Sequence, residues 1–207
     1  MRKIVLGYKA SSDEYISYLR KKGILIGDNV RIFSPNHTII DDLHPHMLSI
    51  GNNVNMTGPV TILCHDYSTI ACQGIGGYFG NVKSVTIGNN VFLGWGATIL
   101  PGTTIEDNVI VGAGAVVTGR LMGESVYAGN PARLIMIMEE YLDKRENSQI
   151  KEAVDIYRNY YDRFAKKPSV DVFGNYKYLF IENTKHDHKK HIFSTYEEFQ
   201  DYLNKQK

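Results

Sequence analysis

The 207-residue chain is poor in cysteine, with two, and has only one tryptophan and six prolines. Two thiols, Cys64 and Cys72, eight residues apart, do not make a disulfide framework. A reducing, cytoplasmic setting is expected. No apolar run approaches the ~18 residues that a membrane span needs. The opening stretch MRKIVLGYKASSDEY has a short apolar patch, Ile4 to Leu6, too short for the core of a signal peptide. Neither charge sign is in excess: 23 Lys and Arg face 22 Asp and Glu, a formal net charge of +1. That balance gives no general attraction to nucleic acid or to an anionic membrane. What remains is ordinary globular composition, 43% hydrophobic and 22% charged. The length suits one domain with a real core and an appendage.

The dominant feature is a repeat. From residue 87 the chain divides into sixes: IGNNVF, LGWGAT, ILPGTT, IEDNVI, VGAGAV, VTGRLM. Position one is always aliphatic: Ile87, Leu93, Ile99, Ile105, Val111, Val117. Position five is small or apolar: Val91, Ala97, Thr103, Val109, Ala115, Leu121. Period six fits neither a helix nor a long strand. It fits short strands joined by tight corners, with one large side chain per segment pointing inward. Gly and Asn recur where the backbone turns, because they tolerate positive φ. That is the hexapeptide repeat of a parallel β-helix. The same phase appears at Ile26, Ile32, Ile50, Met56 and Ile62. Between Ile32 and Ile50 the inward slots fall on Thr38 and His44, so PNHTIIDDLHPH is expected to leave the coil. From Ile62 to Ile87 the phase is lost, and the glycine-rich STIACQGIGGYFGNVK is expected to be an inserted loop.

Before the repeat, SSDEYISYLRKKG reads as a short helix: Ser11 and Glu14 have capping-box spacing and Gly23 suits a C-terminal stop. After it, RLIMIMEEYLDKRE and SQIKEAVDIYRNYYDRFAKK read as two helices, the second ending near Pro168. Phe173, Tyr176, Tyr178, Leu179 and Phe180 read as packing anchors for an extension folded back on the helix, with a short capped helix from Ser194. The expected segments are 1–23, a β-helix at 24–135 with an excursion loop at 66–85, and an extension at 136–207.

With the repeat in view, residues 24–135 resemble the left-handed β-helix acyltransferases, the hexapeptide-repeat family that moves acetyl from acetyl-CoA. The most specific part is VIVGAGAVVTGRLMGESVYAGNPARLI, similar to the family's closing coil and AGNPA exit. CHDYS, the loop after it and the long tail look most like the bacterial O-acetyltransferases of surface and capsular polysaccharides. The resemblance implies a mainly β fold, a left-handed parallel β-helix with a short N-terminal helix and an α-helical C-terminal extension. It implies a homotrimer with active sites between subunits, acetyl-CoA as donor, a saccharide acceptor and no metal. It places the family's catalytic histidine at His65, which removes a proton from the acceptor hydroxyl.

The chemistry asks for such a base. A free hydroxyl is nearly un-ionised at neutral pH, and imidazole is matched to activating it. A neutral histidine needs its second nitrogen held. Asp66 adjoins His65, but adjacent side chains in a strand point to opposite faces. A backbone carbonyl or a residue from another rung is therefore as good an orienter. Cys64 reads as a buried small residue, since this family needs no acyl-enzyme. His44 and His46 read as a solvated loop that could touch the acceptor. His186, His188 and His191 read as surface, and His37 has no supporting context.

For the donor, Gly94 and Gly96 would let a pantetheine chain approach the backbone, although all hexapeptide corners favour glycine. Trp95, between them, should face outward, lining the CoA or acceptor groove or packing in the trimer. The family often puts a tryptophan just before the inward aliphatic, where this chain has Phe92. Gly112 and Ala113 resemble the family's small residues beside the pantetheine. Arg120 follows Gly119, which stands where the family often has lysine. NPAR in place of NPAK gives Arg133. Both arginines are candidates for the phosphates of CoA. On the acceptor side, Thr57 stands where sugar-acetylating relatives carry asparagine, with Asn55 close by. Asp66, Tyr67 and the following loop are further candidates.

Three other functions compete. The same chemistry could act on a small drug-like alcohol or a nucleotide-sugar amine. A γ-type carbonic anhydrase shares the fold but needs three histidines around a groove for Zn²⁺, and only His65 lies in the core repeats. A non-catalytic scaffold would not need His65 at all.

Overall fold

The computed structural model describes residues 6–77, 79–180 and 193–205. The chain divides into two units, Met1–Tyr141 and Leu142–Lys207.

The first unit is a coil of short strands in three parallel sheets. The first sheet stacks Leu25–Ile26, Leu48–Ile50, Val85–Ile87, Thr104–Ile105 and Arg120–Leu121. The second stacks Arg31–Ile32, Asn55–Met56, Phe92–Leu93, Val109–Val111 and Ser125–Ala128. The third stacks Ile39–Ile40, Thr61–Ile62, Thr98–Ile99 and Val116–Val117. Registers set like on like: Ile26 on Ile50, Ile87 on Ile105, Leu93 on Val111, Ile62 on Ile99. The residues expected at position one, from Ile87 to Val117, are all buried, as are Val91, Ala97, Thr103, Val109 and Ala115. Each fully buried aliphatic contributes roughly 1.5–3 kcal/mol. Thr103, the polar one, donates to the carbonyls of Leu100 and Val117 at 2.6 and 3.2 Å.

Besides the longer spacings from Ile40 to Ile50 and from Ile62 to Ile87, the phase slips in two places. Ile40, not Thr38, stacks on Ile62, because two extra residues turn the chain after Ile32. Leu121 stacks on Ile105 and so takes an inward position one, two residues early.

Between the first and second sheets four of the five rungs turn through an asparagine in the left-handed region, Asn29, Asn53, Asn90 and Asn108, with φ between 55° and 58°, and the last turns through Glu124 at φ 52°. The asparagine amides form a ladder. Asn29 donates to Asn53 at 3.2 Å, Asn53 to Asn90 at 2.9 Å and Asn90 to Asn108 at 2.8 Å, and Asn108 donates to Glu124. A second column precedes it: Asn52, Asn89 and Asp107 each accept from the backbone N–H one rung away.

Helix α1, Ser12–Lys22, has the expected caps. Ser11 accepts from the Glu14 N–H at 3.2 Å, and Gly23 closes the end at φ 105°. It lies over the first rung, whose strand edge would otherwise be bare. Ser12 Oγ accepts from the Ile32 N–H at 2.9 Å and Tyr15 Oη from Ile40 at 3.3 Å. Lys9 donates to the Thr38 carbonyl at 2.8 Å and Arg20 to Ile26 at 3.0 Å.

RLIMI is not helical. Arg133–Ile137 is a strand, antiparallel to Ser125–Ala128, so the sheet runs past residue 135. The two expected helices are one, α2, Met138–Phe164, since no proline or glycine interrupts it. In the second unit Ala153 and Val154 of this helix pack with Phe173, Leu179, Phe180, Phe193 and Phe199, with Tyr176 and Tyr178 partly buried beside them. Helix α3, Tyr196–Asn204, is capped by Thr195, which accepts from the Glu198 N–H. His186, His188 and His191 lie outside the described residues. Among the described residues no helix is long and apolar enough to cross a membrane.

Candidate active site

The corner from the third sheet back to the first is irregular. From the inward residue of one to that of the other the chain takes six residues at Ile99–Ile105, ten at Ile40–Ile50 and twenty-five at Ile62–Ile87. Two loops therefore bulge at one corner, on successive rungs. The longer opens with His65–Asp66, paired antiparallel with Asn81–Val82, and continues as a 3-10 helix, Ser68–Ile75. Coil resumes at Val85.

The shorter loop supplies what sequence left open. Asp41 leaves the third sheet with its N–H on the Ile62 carbonyl at 2.9 Å. Its Oδ2 meets Nδ1 of His65 in a short hydrogen bond. The same oxygen accepts from the Cys64 N–H at 2.9 Å, and Oδ1 accepts from Leu43 at 3.1 Å. The Asp41 side chain is 2% exposed and that of His65 is 22% exposed. Burial alone would raise the Asp41 carboxyl, but the Cys64 and Leu43 N–H groups and His65 hold it below the usual range. With Nδ1 engaged, Nε2 is the ring nitrogen left for a substrate proton. The Cys64 thiol is pushed up to about 11, chiefly by burial, and is no nucleophile at neutral pH.

Aromatic rings surround the imidazole. Tyr67 stands edge-on at 4.9 Å between centroids, and His44 at 5.9 Å, with His46 6.2 Å beyond His44. His44 thus stands half-buried beside His65, while His46 is exposed. Among the described residues no group of three or more His, Cys, Asp or Glu is placed to hold a metal ion. Asp66 makes no hydrogen bond to His65. It accepts from the N–H and hydroxyl of Ser68, both at 2.7 Å, and from Asn81 at 3.2 Å. The Ser68 bonds hold its carboxyl below the usual range and pin the loop entrance.

Most of the other candidates lie at a different corner, between the second and third sheets. Trp95 is 61% exposed there, with its indole over Gly58, where an added Cβ would lie 2.3 Å from the ring. The next rung explains two glycines. A Cβ at Gly94 would sit 2.6 Å from the Ala113 nitrogen, and one at Gly112 2.9 Å from the Ala128 Cβ. Gly96 turns at φ 75° with its N–H on Pro59 at 2.9 Å. Ala113 is exposed one rung on. Arg133 is exposed just past this corner, donating to its neighbour Ala132 at 3.0 Å. Thr57 lies on the same side, donating to the Leu93 carbonyl at 3.1 Å, and Asn55 donates to Asn53 at 3.4 Å. Arg120 stands apart on the first sheet, with Nε on Glu106 at 2.7 Å.

A three-sheet hexapeptide coil with a histidine–carboxylate pair at its loop corner defines a class, and sequence similarity names it. Residues 84–119 match the family model described as the hexapeptide repeat of succinyl-transferase. Protein CapG of Staphylococcus aureus is 36% identical over 126 residues, 61% of this chain and 73% of that one. Galactoside O-acetyltransferase of Escherichia coli (strain K12) is 37% identical over 100 residues, 48% of this chain and 47% of that one, so the chain spans about half of its length. A maltose O-acetyltransferase from Clostridium difficile 630 superposes with a TM-score of 0.44 at 27% identity, over 60% of this chain and 75% of that one. The chain belongs to the hexapeptide-repeat acetyltransferase family.

Proposed function

We propose that this chain is an acetyl-CoA-dependent O-acetyltransferase acting on a sugar hydroxyl of a bacterial surface polysaccharide or its precursor. The observation that carries this reading is the Asp41–His65 pair at the loop corner of a hexapeptide coil. His65 Nε2 takes the proton of the acceptor hydroxyl, and Asp41 holds the ring and stabilises the imidazolium that forms. The oxygen attacks the thioester carbonyl, the C–S bond breaks, and the imidazolium returns its proton to the leaving thiolate.

The coil is read as left-handed and the assembly as a homotrimer, as the family resemblance implies. The placement of His65 and Trp95 at different corners supports a composite site, in which the base of one copy faces the Trp95 corner of its neighbour. Trp95, Gly96, Ala113 and Arg133 share that corner and form the donor side. Gly94 and Gly112 serve it through the close stacking they allow. Arg120, already paired with Glu106, is the weaker phosphate partner. Tyr67 and His44 flank the acceptor. An acetyl-CoA donor fits the cytoplasmic setting expected from two unpaired cysteines.

The test is release of free thiol from acetyl-CoA across a panel of saccharides, simple alcohols and amines. A saccharide should accelerate release. Acceleration by alcohols or amines alone would move the acceptor to a small non-sugar molecule.

A further inference from the structure

Helix α1 reaches beyond the strand edge it covers. Tyr18 Oη donates to Asp42 Oδ2 at 2.7 Å, and Lys22 Nζ lies 3.7 Å from the same oxygen. The Tyr18 ring is itself held, stacked on Tyr8 at 3.8 Å between centroids. Asp42 follows Asp41 in the chain. Asp41 is therefore fixed from both directions: its N–H is on Ile62, and the residue after it is tied to the helix.

Asp41 and Asp42 are adjacent carboxylates in one loop, and it is Asp41 that meets the imidazole. Either could compete for the Nδ1 proton of His65, and a loop four residues longer than the repeat requires has the slack to exchange them. The phenol and ammonium hold the Asp42 carboxylate on the helix side, which leaves Asp41 to the histidine. The phenol proton is correspondingly tight, its pKa raised above the usual tyrosine range by the bond to Asp42.

We propose that Tyr18 is a positioning residue for proton transfer: by holding Asp42 it fixes the loop that sets the Asp41 carboxylate against His65 Nδ1. The inference rests on His65 as the base. Tyr18 acts through Asp42 and Asp41 and touches no reacting atom.

Tyr18→Phe keeps the ring and its stacking and removes only the donor. Turnover is followed as thiol release from acetyl-CoA with the best saccharide of the panel, or with water as acceptor if no saccharide serves. The kcat should fall by about tenfold, the size of effect that small misplacement of a catalytic group brings. KM for acetyl-CoA should stay within about twofold. In an Asp41→Asn background the same change should cost less than about twofold, because the link it serves is already broken. Asp42→Ala should reproduce the loss. Its side chain is 36% exposed, so it carries the test if Tyr18→Phe folds poorly in a thermal melt. Wild-type kcat in both variants, or a full tenfold loss in the Asp41→Asn background, overturns the proposal. If His65→Ala turns over normally, the base reading itself fails. If His65→Ala and Asp41→Asn lose activity while Tyr18→Phe does not, only the positioning role fails.

Discussion

Two corners of one coil, built on one six-residue period, do opposite work. Between the first and second sheets successive rungs place asparagine on asparagine, and the amides bond to one another. Between the third and first sheets the spacing varies, and unlike residues meet, Asp41 under His65. Constant spacing aligns identical side chains, which makes a repeated bond and a closed surface. Variable spacing breaks the alignment, and a base can then find a partner of different chemistry. Repetition stabilises the coil, and its interruption brings Asp41 to His65.

The contrast is tested most severely by His65→Ala. Acetyl transfer per folded molecule should drop by ~10²–10⁴-fold, the contribution of a general base, a loss far larger than the fall in thermal midpoint that follows from taking a partner from the buried Asp41. Unimpaired transfer would remove the loop corner from catalysis. The opposite result is expected at the other corner. Asn90→Ala replaces a residue that tolerates φ 55° with one that does not and breaks two side-chain amide hydrogen bonds, a loss of about 2–3 kcal/mol in denaturant unfolding. Asn90→Gly should recover the backbone share of that loss. Turnover per folded molecule should match wild type in both, and a turnover defect would mean the corners are not independent.

The smallest effect is one of pH. The Asp41 carboxyl is held low in the fold, whereas unfolded it titrates near the ordinary ~3.9. Its stabilising bonds are therefore complete above about pH 4 and are lost as pH falls through the lower folded value. Asp41→Asn should melt below wild type at pH 7, with the gap closing toward pH 3. A gap constant over that range would show that ionisation of Asp41 is not its source.

Periodicity made most of the coil legible, because a single aliphatic per six residues is a local pattern. It located the loop after Ile62, where the family resemblance implies the histidine at His65, and Trp95 stood out through its bulk between two glycines. Asp41 was not legible. Its contact depends on two loops of different length bulging at the same corner, 24 residues apart in the chain. Counting ten residues from Ile40 to Ile50 would have placed its loop under that of His65. RLIMIM was misread because an apolar run without clear alternation does not distinguish strand from helix. Its pairing with Ser125–Ala128 is decided by tertiary contact.

A coil of this kind has no intrinsic length: each rung offers the next the same strand edges, as the layers of an amyloid fibril do. At one end Ser12, Tyr15, Lys9 and Arg20 occupy the exposed donors and acceptors, and at the other the chain reverses through Arg133–Ile137. Those two ends make a discrete molecule out of an architecture that could otherwise polymerise. Deleting the helix should therefore leave a rung able to recruit other chains edge to edge.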